Sequence, residues 1–229
     1  MRNLAAAIGL AGLAAAGCLL AGCGGGTTTE SEASEPPSRI LHDARSAVGS
    51  ARSVHMAGHG FSQGQPARLD ITLVRGPKAT GEMELFGGSL DLIRVRDSVY
   101  MRGDRSFWRA FGRNRLKLAM LSGRWVQAPA SVSAFDEIAS FTDISGLSSL
   151  VRPHGKVVNE GTRTFRGQKV VALHDAAEGG TLYLRATGSP YPVAIVGGKN
   201  DRETIIFDRW NQRVVVRAPK NALSLDASA

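Results

Sequence analysis

The spacing of apolar side chains along the chain changes its period, and each period predicts a type of element. In RLDITLV, Leu69, Ile71 and Leu73 alternate with polar residues, a period of two that is typical of a half-buried strand. Met83 and Leu85 repeat the pattern in the next run. A Gly-Gly pair then joins that run to SLDLIRV as a tight hairpin. This part of the chain therefore predicts an antiparallel meander.

One run in the meander breaks its own alternation. Leu90 and Leu92 are in phase, whereas Ile93 and Val95 are out of phase with them. We expect either a β-bulge or burial on both sides at this point. Another strand follows after an Asp-Ser turn.

Spacings of three and four predict helices elsewhere. Residues 39–52 predict a first helix with Ser38 as its N-cap. Its apolar face is narrow and made of small residues, namely Ile40, Ala44, Ala47 and Ala51. Residues 105–122 predict a helical region broken near Gly112, followed by a short extended piece at Trp125 and Val126. Residues 132–151 predict short helices interrupted by Gly146.

The last third of the chain returns to strands. The runs are KVVNEG, GQKVVALHD, TLYLRAT, YPVAIVG, ETIIFDRW and RVVVRAP, separated by Gly, Asn and Asp turns. The order of helix, strands, helices and strands predicts an α+β fold, in which helices pack against one strongly curved antiparallel sheet.

The N-terminus carries a processing signal rather than part of the fold. Residues 4–21 are uncharged and apolar, rich in Ala and Gly, and follow Arg2. We therefore predict a signal peptide over residues 1–22. Leu20-Ala21-Gly22-Cys23 resembles the bacterial lipobox, in which the cysteine is lipidated and becomes the first residue. The alternatives are an ordinary signal peptide with an incidental cysteine, or cleavage before Cys18.

Lipidation of Cys23 predicts the location of the protein. Two acyl chains anchor a protein stably, whereas one chain binds membranes only marginally. Residues 23–38 contain no large apolar side chain and predict a flexible tether. Residues 39–229 then form a single domain, exported and held at the outer face of the cell membrane. Since the signal removes Cys18, the mature domain contains no internal disulfide.

Charge narrows the choice of partner only slightly. The chain of 229 residues has 28 Lys and Arg against 20 Asp and Glu, a formal net charge of +8. Such a surface can meet nucleic acid or anionic lipid. An exported, tethered protein is expected to meet lipid headgroups or acidic envelope polymers and no nucleic acid, although a scattered basic surface without any partner explains the same composition.

The sequence gives little support to a metal site, an active site or a carbohydrate-binding platform. His55 and His59 lie about 13 Å apart if they share a strand, too far for one metal ion. The sequence has neither a G-x-S-x-G elbow nor an H-E-x-x-H helix, and the pair formed by His174 and its neighbouring aspartate is common by chance. The tryptophans could form a carbohydrate platform, but Trp is more often part of a core. We therefore predict no catalytic residue, no metal and no cofactor.

The order of several segments resembles a known family. After a short first helix come SVHMAGHGF, GGSLDLIRVRDSVYMRG, FRGQKVVALHD, GGTLYLRATGSPYPVAIVG and FDRW followed by RAPKNAL. Behind a lipobox, this order resembles actinobacterial lipoproteins of the LppX/LprA/LprF/LprG type, within the broader LolA/LolB-like fold. The similarity covers about residues 38–225.

The resemblance implies an unclosed, or half, β-barrel with helices on its concave face and an apolar cavity between them. Members bind or carry lipids and glycolipids in the cell envelope, which implies a lipid or lipoglycan ligand, a membrane partner through Cys23 and an envelope transporter as a further candidate partner. Candidate cavity residues, each of which could equally be ordinary core, are Leu69, Ile71, Leu73, Met83, Leu85, Leu90, Leu92, Leu116, Met120, Phe135, Ile138 and Leu147. The competing hypotheses are an envelope scaffold or sensor with a filled core and, less well supported, an exported enzyme.

Overall fold

The computed structural model describes residues 34–62, 64–112, 114–132, 142–151, 155–177, 179–198 and 203–225. The predictions for Cys23, the signal peptide, most of the tether, Phe135 and Ile138 lie outside these ranges. The strands of the described ranges are β1 Ser53–Ser62, β2 Gln65–Val74, β3 Lys78–Leu85, β4 Gly88–Val95, β5 Ser98–Gly103, β6 Val126–Pro129, β7 Val157–Phe165, β8 Gln168–Asp175, β9 Thr181–Arg185, β10 Pro192–Val196, β11 Thr204–Asp208 and β12 Leu223–Ser224.

These strands form one open sheet in the order β12-β6-β5-β4-β3-β2-β1-β11-β10-β9-β8-β7. Neighbours are antiparallel except for β12, which runs parallel to β6. Because adjacent strands twist by about 20–25°, a sheet of this width coils strongly. Its two edges, β12 and β7, do not pair with each other. The predicted α+β fold with an unclosed antiparallel half-barrel is confirmed.

The two faces of the sheet differ in chemistry. One, here called the helix face, carries Val54 and Met56 on β1, Ile71 on β2 and Leu92 on β4, all of them buried. The opposite face, here called the polar face, carries mainly charged and hydroxyl side chains on β1–β5. Strand side chains alternate between faces, so the period-two pattern of the sequence produces this division directly.

The first helix, α1 (Pro37–Ser50), closes the core on the helix face. It buries Ile40, Leu41, Ala44 and Val48 in the same cluster as the helix-face strand residues. The predicted apolar face is therefore confirmed. The predicted cap is wrong: Ser38 lies inside the first turn, and Pro36 occupies the N-cap without a side-chain hydrogen bond. Proline is favoured at the first helical position because its missing N–H is not needed there, so Pro37 starts the helix.

Tight turns set the register of the meander. The β3–β4 turn, Phe86-Gly87, and the β7–β8 turn, Arg166-Gly167, have positive φ at both residues. Such mirror-image turns match the right-handed twist of the flanking strands. The β3–β4 register is continuous without a bulge, so the out-of-phase pair Ile93 and Val95 reflects partial burial on the second face.

Short helices follow β5 and β6. They are α2 (Arg105–Arg109), α3 (Arg115–Leu121), a 3₁₀ turn at Ile144–Gly146 and α4 (Leu147–Leu150). The predicted break near Gly112 separates α2 from α3. None of the helices in the described ranges combines the length and the apolar character that crossing a bilayer requires.

One predicted strand is wrong. RVVVRAP, residues 213–219, pairs with no strand of the described ranges, and Val215 is exposed. This segment leads from β11, in the middle of the sheet, to β12 beside β6. On that path it passes strands already paired on both sides, so no free edge can accept its hydrogen bonds. Its alternating pattern is compatible with a strand but has no partner.

Candidate ligand-binding grooves

An apolar groove lies on the helix face at the ends of β11, β1, β2 and β3. Its volume is about 130 Å³. Among its lining residues, Ala67, Leu69, Met83, Leu85 and Ile205 all belong to the helix face by register. The exposed ring of Phe61 lies at its margin. The groove therefore offers a mainly hydrocarbon surface near the rim of the sheet.

Two glycines leave room for this groove. Gly58 and Gly60 of β1 point toward the helix face and have no side chain to fill it. A Cβ atom at Gly58 would lie 2.5 Å from the carbonyl oxygen of Thr204, and one at Gly60 would lie 2.8 Å from Cγ of Glu203. At Gly58 the clash is with the backbone of β11, so close approach requires glycine there, whereas at Gly60 it is with a flexible side chain that can move.

The candidate cavity residues fall into three groups. Leu69, Met83 and Leu85 line the apolar groove. Five others are buried in the core: Ile71, Leu73, Leu90, Leu92 and Leu147. The remaining two described candidates, Leu116 and Met120, are 77% and 60% exposed on α3, where Leu118 is the buried residue. Sequence spacing places the phase of this short helix incorrectly, because the residues that face the core are Leu118 and the half-buried Leu121.

The helix α2 packs at the same end of the helix face as the groove. Phe107 contacts Gly88 and Gly103 so closely that a Cβ atom at either would lie 2.1–2.3 Å from an atom of Phe107. Since Gly88 is the register partner of Leu85, α2 lies next to a wall of the apolar groove. Phe86, Phe107, Trp108 and Phe111 form an aromatic cluster here, with ring centroids 5.1–6.3 Å apart.

Asp104 fixes the start of α2. Burial alone would raise the pKa of this carboxyl, but hydrogen bonds from the N–H groups of Phe107, Ser89 and Ser106 and from the Ser89 hydroxyl lower it below its ordinary value. Oδ1 accepts from the Phe107 N–H at 2.7 Å, and Oδ2 accepts from the Ser89 N–H and hydroxyl at 3.2 Å. One side chain thus ties α2 to β4.

A larger groove with both polar and apolar lining residues lies at the same end of the sheet, and Leu69, Met83 and Leu90 line it as well. Its volume is about 830 Å³, within the range of about 300–1,000 Å³ that is usual for small-molecule sites. Strand register places Asp70, Glu82, Asp91 and Arg102 in one row across β2–β5. Phe165 and the adjacent turn arginine come from far along the sheet, which shows how strongly the sheet coils.

The charges in this groove are partly compensated. Arg102 Nε lies 2.6 Å from Asp91, and Arg68 Nε lies 3.6 Å from Glu84. Glu82 stands directly between Asp70 and Asp91 and has no ion-pair partner in the described part of the chain. Sequence reasoning missed the charged side chains of this groove, because each carboxylate alone has the pattern of an ordinary solvent-facing strand residue. Only the register brings the three together.

Both ring nitrogens of His55 lie within hydrogen-bond distance of a carboxylate on a neighbouring strand. Its Nδ1 lies 2.6 Å from Asp208 and its Nε2 lies 2.9 Å from Asp70. His59 lies exposed on the same strand. Across the described ranges, no group of three or more His, Cys, Asp or Glu side chains is arranged to hold a metal ion. The role of His55 is to link three strands.

The tryptophans do not form a shared platform. Trp108 and Trp210 are buried in the core. The Trp210 Nε1–H donates to the carbonyl oxygen of Pro192 at 3.0 Å, and its ring stacks on Tyr191. Trp125 is half-buried, with the Arg102 guanidinium 5.0 Å from its ring centroid. The core interpretation therefore holds for two of the three.

Comparison with solved structures decides the fold family. LprF from Mycobacterium bovis aligns with a TM-score of 0.54 and 15% identity over 85% of this chain and 99% of its own. The lipoprotein LppX from Mycobacterium tuberculosis aligns with a TM-score of 0.54 and 14% identity over 79% of this chain and 98% of its own. The chain has the LprF and LppX fold.

This fold explains the predicted resemblance, which is thereby confirmed at the level of structure. A LolA superfamily protein from Nitrosomonas europaea also aligns over 79% of the chain, but its TM-score of 0.28 is too low to support an argument. No protein-family model matches the sequence, and no curated relative matches it either. At 14–15% identity the LprF and LppX matches concern architecture only.

Proposed function

We propose that this protein is a non-catalytic lipoprotein of the cell envelope that binds the acyl chain of a lipid or glycolipid in the apolar groove. The observation that carries the proposal is the hydrocarbon lining of that groove by Leu69, Met83 and Leu85, in a chain with the fold of LprF and the lipoprotein LppX. The predicted N-terminus supports it, because lipidation of Cys23 would hold the groove close to a bilayer.

The driving force for binding is removal of hydrocarbon from water. Each buried CH₂ contributes about 0.8 kcal/mol, so a 16-carbon chain gains on the order of 12 kcal/mol relative to water, before ordering costs. Relative to a bilayer the gain nearly vanishes, because the bilayer interior is equally apolar. Such a protein can therefore take up and release lipid in either direction.

The size of the groove limits what it can hold as it stands. A volume of about 130 Å³ is below the usual range for ligand sites, about 300 Å³ and above. It suits a short segment of one chain, and a whole acyl chain requires the groove to lengthen. The core behind it is closed by Ile71 and Leu92, so the groove would lengthen along the rim, where Leu69 and Met83 also line the larger groove.

Filling the groove tests the proposal. Ala67 is half-buried in the lining, and Ala67→Trp should block it. The control, Ala176→Trp, places the same side chain at an exposed turn after β8. The full chain is purified, its extract is examined for lipids by mass spectrometry, and uptake of a fluorescent 16-carbon fatty acid is titrated. We expect uptake by the native chain and the control, and loss of at least tenfold in affinity for Ala67→Trp.

Two results would redirect the assignment. If Ala67→Trp binds as well as the control, lipid binds elsewhere. If neither extraction nor titration detects a lipid, the scaffold hypothesis with a filled core replaces the carrier.

Anchoring is tested separately by metabolic labelling with palmitate, which Cys23→Ser should abolish and Cys18→Ser should leave intact.

A further inference from the structure

The segment that contains α2 and α3 has an unusual charge. From Arg105 to the residue before Asp136 the sequence contains six basic residues and no acidic one: Arg105, Arg109, Arg113, Arg115, Lys117 and Arg124. Over the whole chain, by comparison, 28 basic residues stand against 20 acidic ones. The formal charge of this stretch is therefore most of the +8 excess. Five of the six lie in the described ranges, and all five are exposed.

The same segment exposes three large apolar side chains. Leu116 and Met120 are 77% and 60% exposed, and Phe111, in the loop between α2 and α3, is 37% exposed. Single exposed apolar residues are ordinary, but Leu116 and Met120 are four residues apart on one helix and therefore neighbours on its surface, which is the arrangement of an interaction surface. Neither contributes to the core, which α3 reaches through Leu118 and the half-buried Leu121.

Helix geometry places these side chains on one outward line. At about 100° per residue, Leu116 and Met120 project roughly 160° and 200° from the direction of Leu118. Lys117 is at about 260° on the same scale, beside that line, and Arg115 lies at the solvent-exposed start of α3. Seen from outside, α3 presents an apolar ridge with basic side chains next to it. This is the pattern of a helix that lies in a membrane interface.

We propose that the outward side of α3, with Phe111, docks on the surface of an anionic lipid bilayer. The basic side chains would meet lipid headgroups, and Leu116 and Met120 would enter the boundary between headgroups and acyl chains. A soluble acidic polymer would match the charge but would leave the apolar ridge in water, so a bilayer fits both features. This surface is distinct from the apolar groove and does not require that the groove bind lipid.

Docking can be read at α3 itself. The full chain with Cys18→Ser and Cys23→Ser, and with Met120→Cys carrying an environment-sensitive fluorophore, is mixed with vesicles. These contain phosphatidylcholine with or without phosphatidylglycerol, and brominated lipids serve as quenchers. The matched control carries the fluorophore at Val215→Cys, which is 64% exposed in a different part of the chain. Because all variants share the same N-terminus, its own membrane affinity is equal in each.

We expect a blue shift and quenching at position 120 with phosphatidylglycerol vesicles, and neither at position 215. Arg115→Gln with Lys117→Gln should weaken the signal about 25-fold in lipid concentration, since each basic residue near an anionic surface is worth about fivefold. Leu116→Gln should weaken it at least threefold. Arg163→Gln with Lys169→Gln, two exposed positions on β7 and β8, should have no such effect.

Three results would overturn the proposal. In the first, the probe at position 120 stays in water when anionic vesicles are added. In the second, the protein docks equally well on vesicles of pure phosphatidylcholine. In the third, soluble alginate, an acidic polymer, binds the protein and prevents it from binding vesicles. Fatty-acid uptake by the same chains in the absence of vesicles reports on the groove independently. If docking is lost while fatty-acid uptake is normal, only this inference is refuted. If docking is normal while fatty-acid uptake is absent, only the proposed lipid site is refuted.

Discussion

The Nδ1 atom of His55 lies 2.6 Å from a carboxylate oxygen of Asp208 on the neighbouring strand. Its other ring nitrogen lies 2.9 Å from Asp70 on the opposite neighbour, so one buried ring links β2, β1 and β11 on the polar face. Hydrogen bonds to charged groups contribute about 1.5–3 kcal/mol each. Both carboxylates here are more than half exposed and stay hydrated, which reduces the gain.

We therefore expect His55→Ala to lower the free energy of unfolding by about 1–2 kcal/mol, measured by urea denaturation. His59, four residues along the same strand and exposed, provides the control. His59→Ala should stay within about 0.5 kcal/mol of the native chain. Equal losses for the two variants would show that the bridge between three strands contributes nothing specific.

Local pattern was sufficient for most of the fold. The apolar face of α1, with Ile40 and Ala44, follows from helical spacing because that face has only one place to be buried. The hairpin around Gly87 follows from alternation and turn chemistry. RVVVRAP failed because a strand needs an unpaired edge as well as a pattern, and the edges available to residues 213–219 are set by the topology of the whole sheet.

The site was harder to predict for two reasons. Leu69, Met83 and Leu85 were selected by phase, but so were Ile71 and Leu73, and nothing in the alternation separates a groove at the rim from the core behind it. The phase of α3 was unreliable because apolar residues lie both on its inward side, with Leu118 and Leu121, and on its outward side. The row of carboxylates on the polar face could not be seen at all, because Asp70, Glu82 and Asp91 lie on three different strands.

That row predicts a stabilising substitution. Glu82 is directly opposite Asp70 on one side and Asp91 on the other, and like charges directly opposite each other destabilise a sheet. We expect Glu82→Gln to raise the free energy of unfolding by about 0.5–1 kcal/mol at low salt. The gain should shrink in about 1 M salt, where screening acts over roughly 3 Å. Glu160→Gln, on exposed β7, should change little, and a loss of stability for Glu82→Gln would contradict the electrostatic account.

Asp104 predicts a dependence on pH. Its pKa is lowered in the folded protein, so its contribution to stability is complete above the ordinary value of about 3.9 and is lost as the pH falls through the lower folded value. At pH 7, Asp104→Ala should cost about 1–2 kcal/mol, as for other N-caps. The difference from the native chain should narrow at the acid end of a urea series run from pH 7 to pH 2. Asp104→Asn keeps an acceptor oxygen and should therefore lower the free energy of unfolding at pH 7 by less than Asp104→Ala. If the difference between Asp104→Ala and the native chain stays constant from pH 7 to pH 2, the carboxylate charge is not its source.

The two core tryptophans allow a matched comparison, because they differ in the hydrogen bonding of the indole N–H. Trp210 donates to the Pro192 carbonyl oxygen at 3.0 Å, whereas the buried Nε1–H of Trp108 has no acceptor among the residues that the structure describes. Replacing either by Phe removes similar volume. Trp210→Phe also removes the hydrogen bond to the Pro192 carbonyl oxygen, whereas Trp108→Phe removes a donor that already carries an unmet desolvation cost of about 1–3 kcal/mol. We therefore expect Trp108→Phe to cost at least about 1 kcal/mol less than Trp210→Phe in urea denaturation. If the two losses of stability are equal, the Trp108 N–H has a hydrogen-bond acceptor in solution. Hydrogen exchange followed by NMR would test this, because a hydrogen-bonded indole N–H of Trp108 should exchange as slowly as that of Trp210.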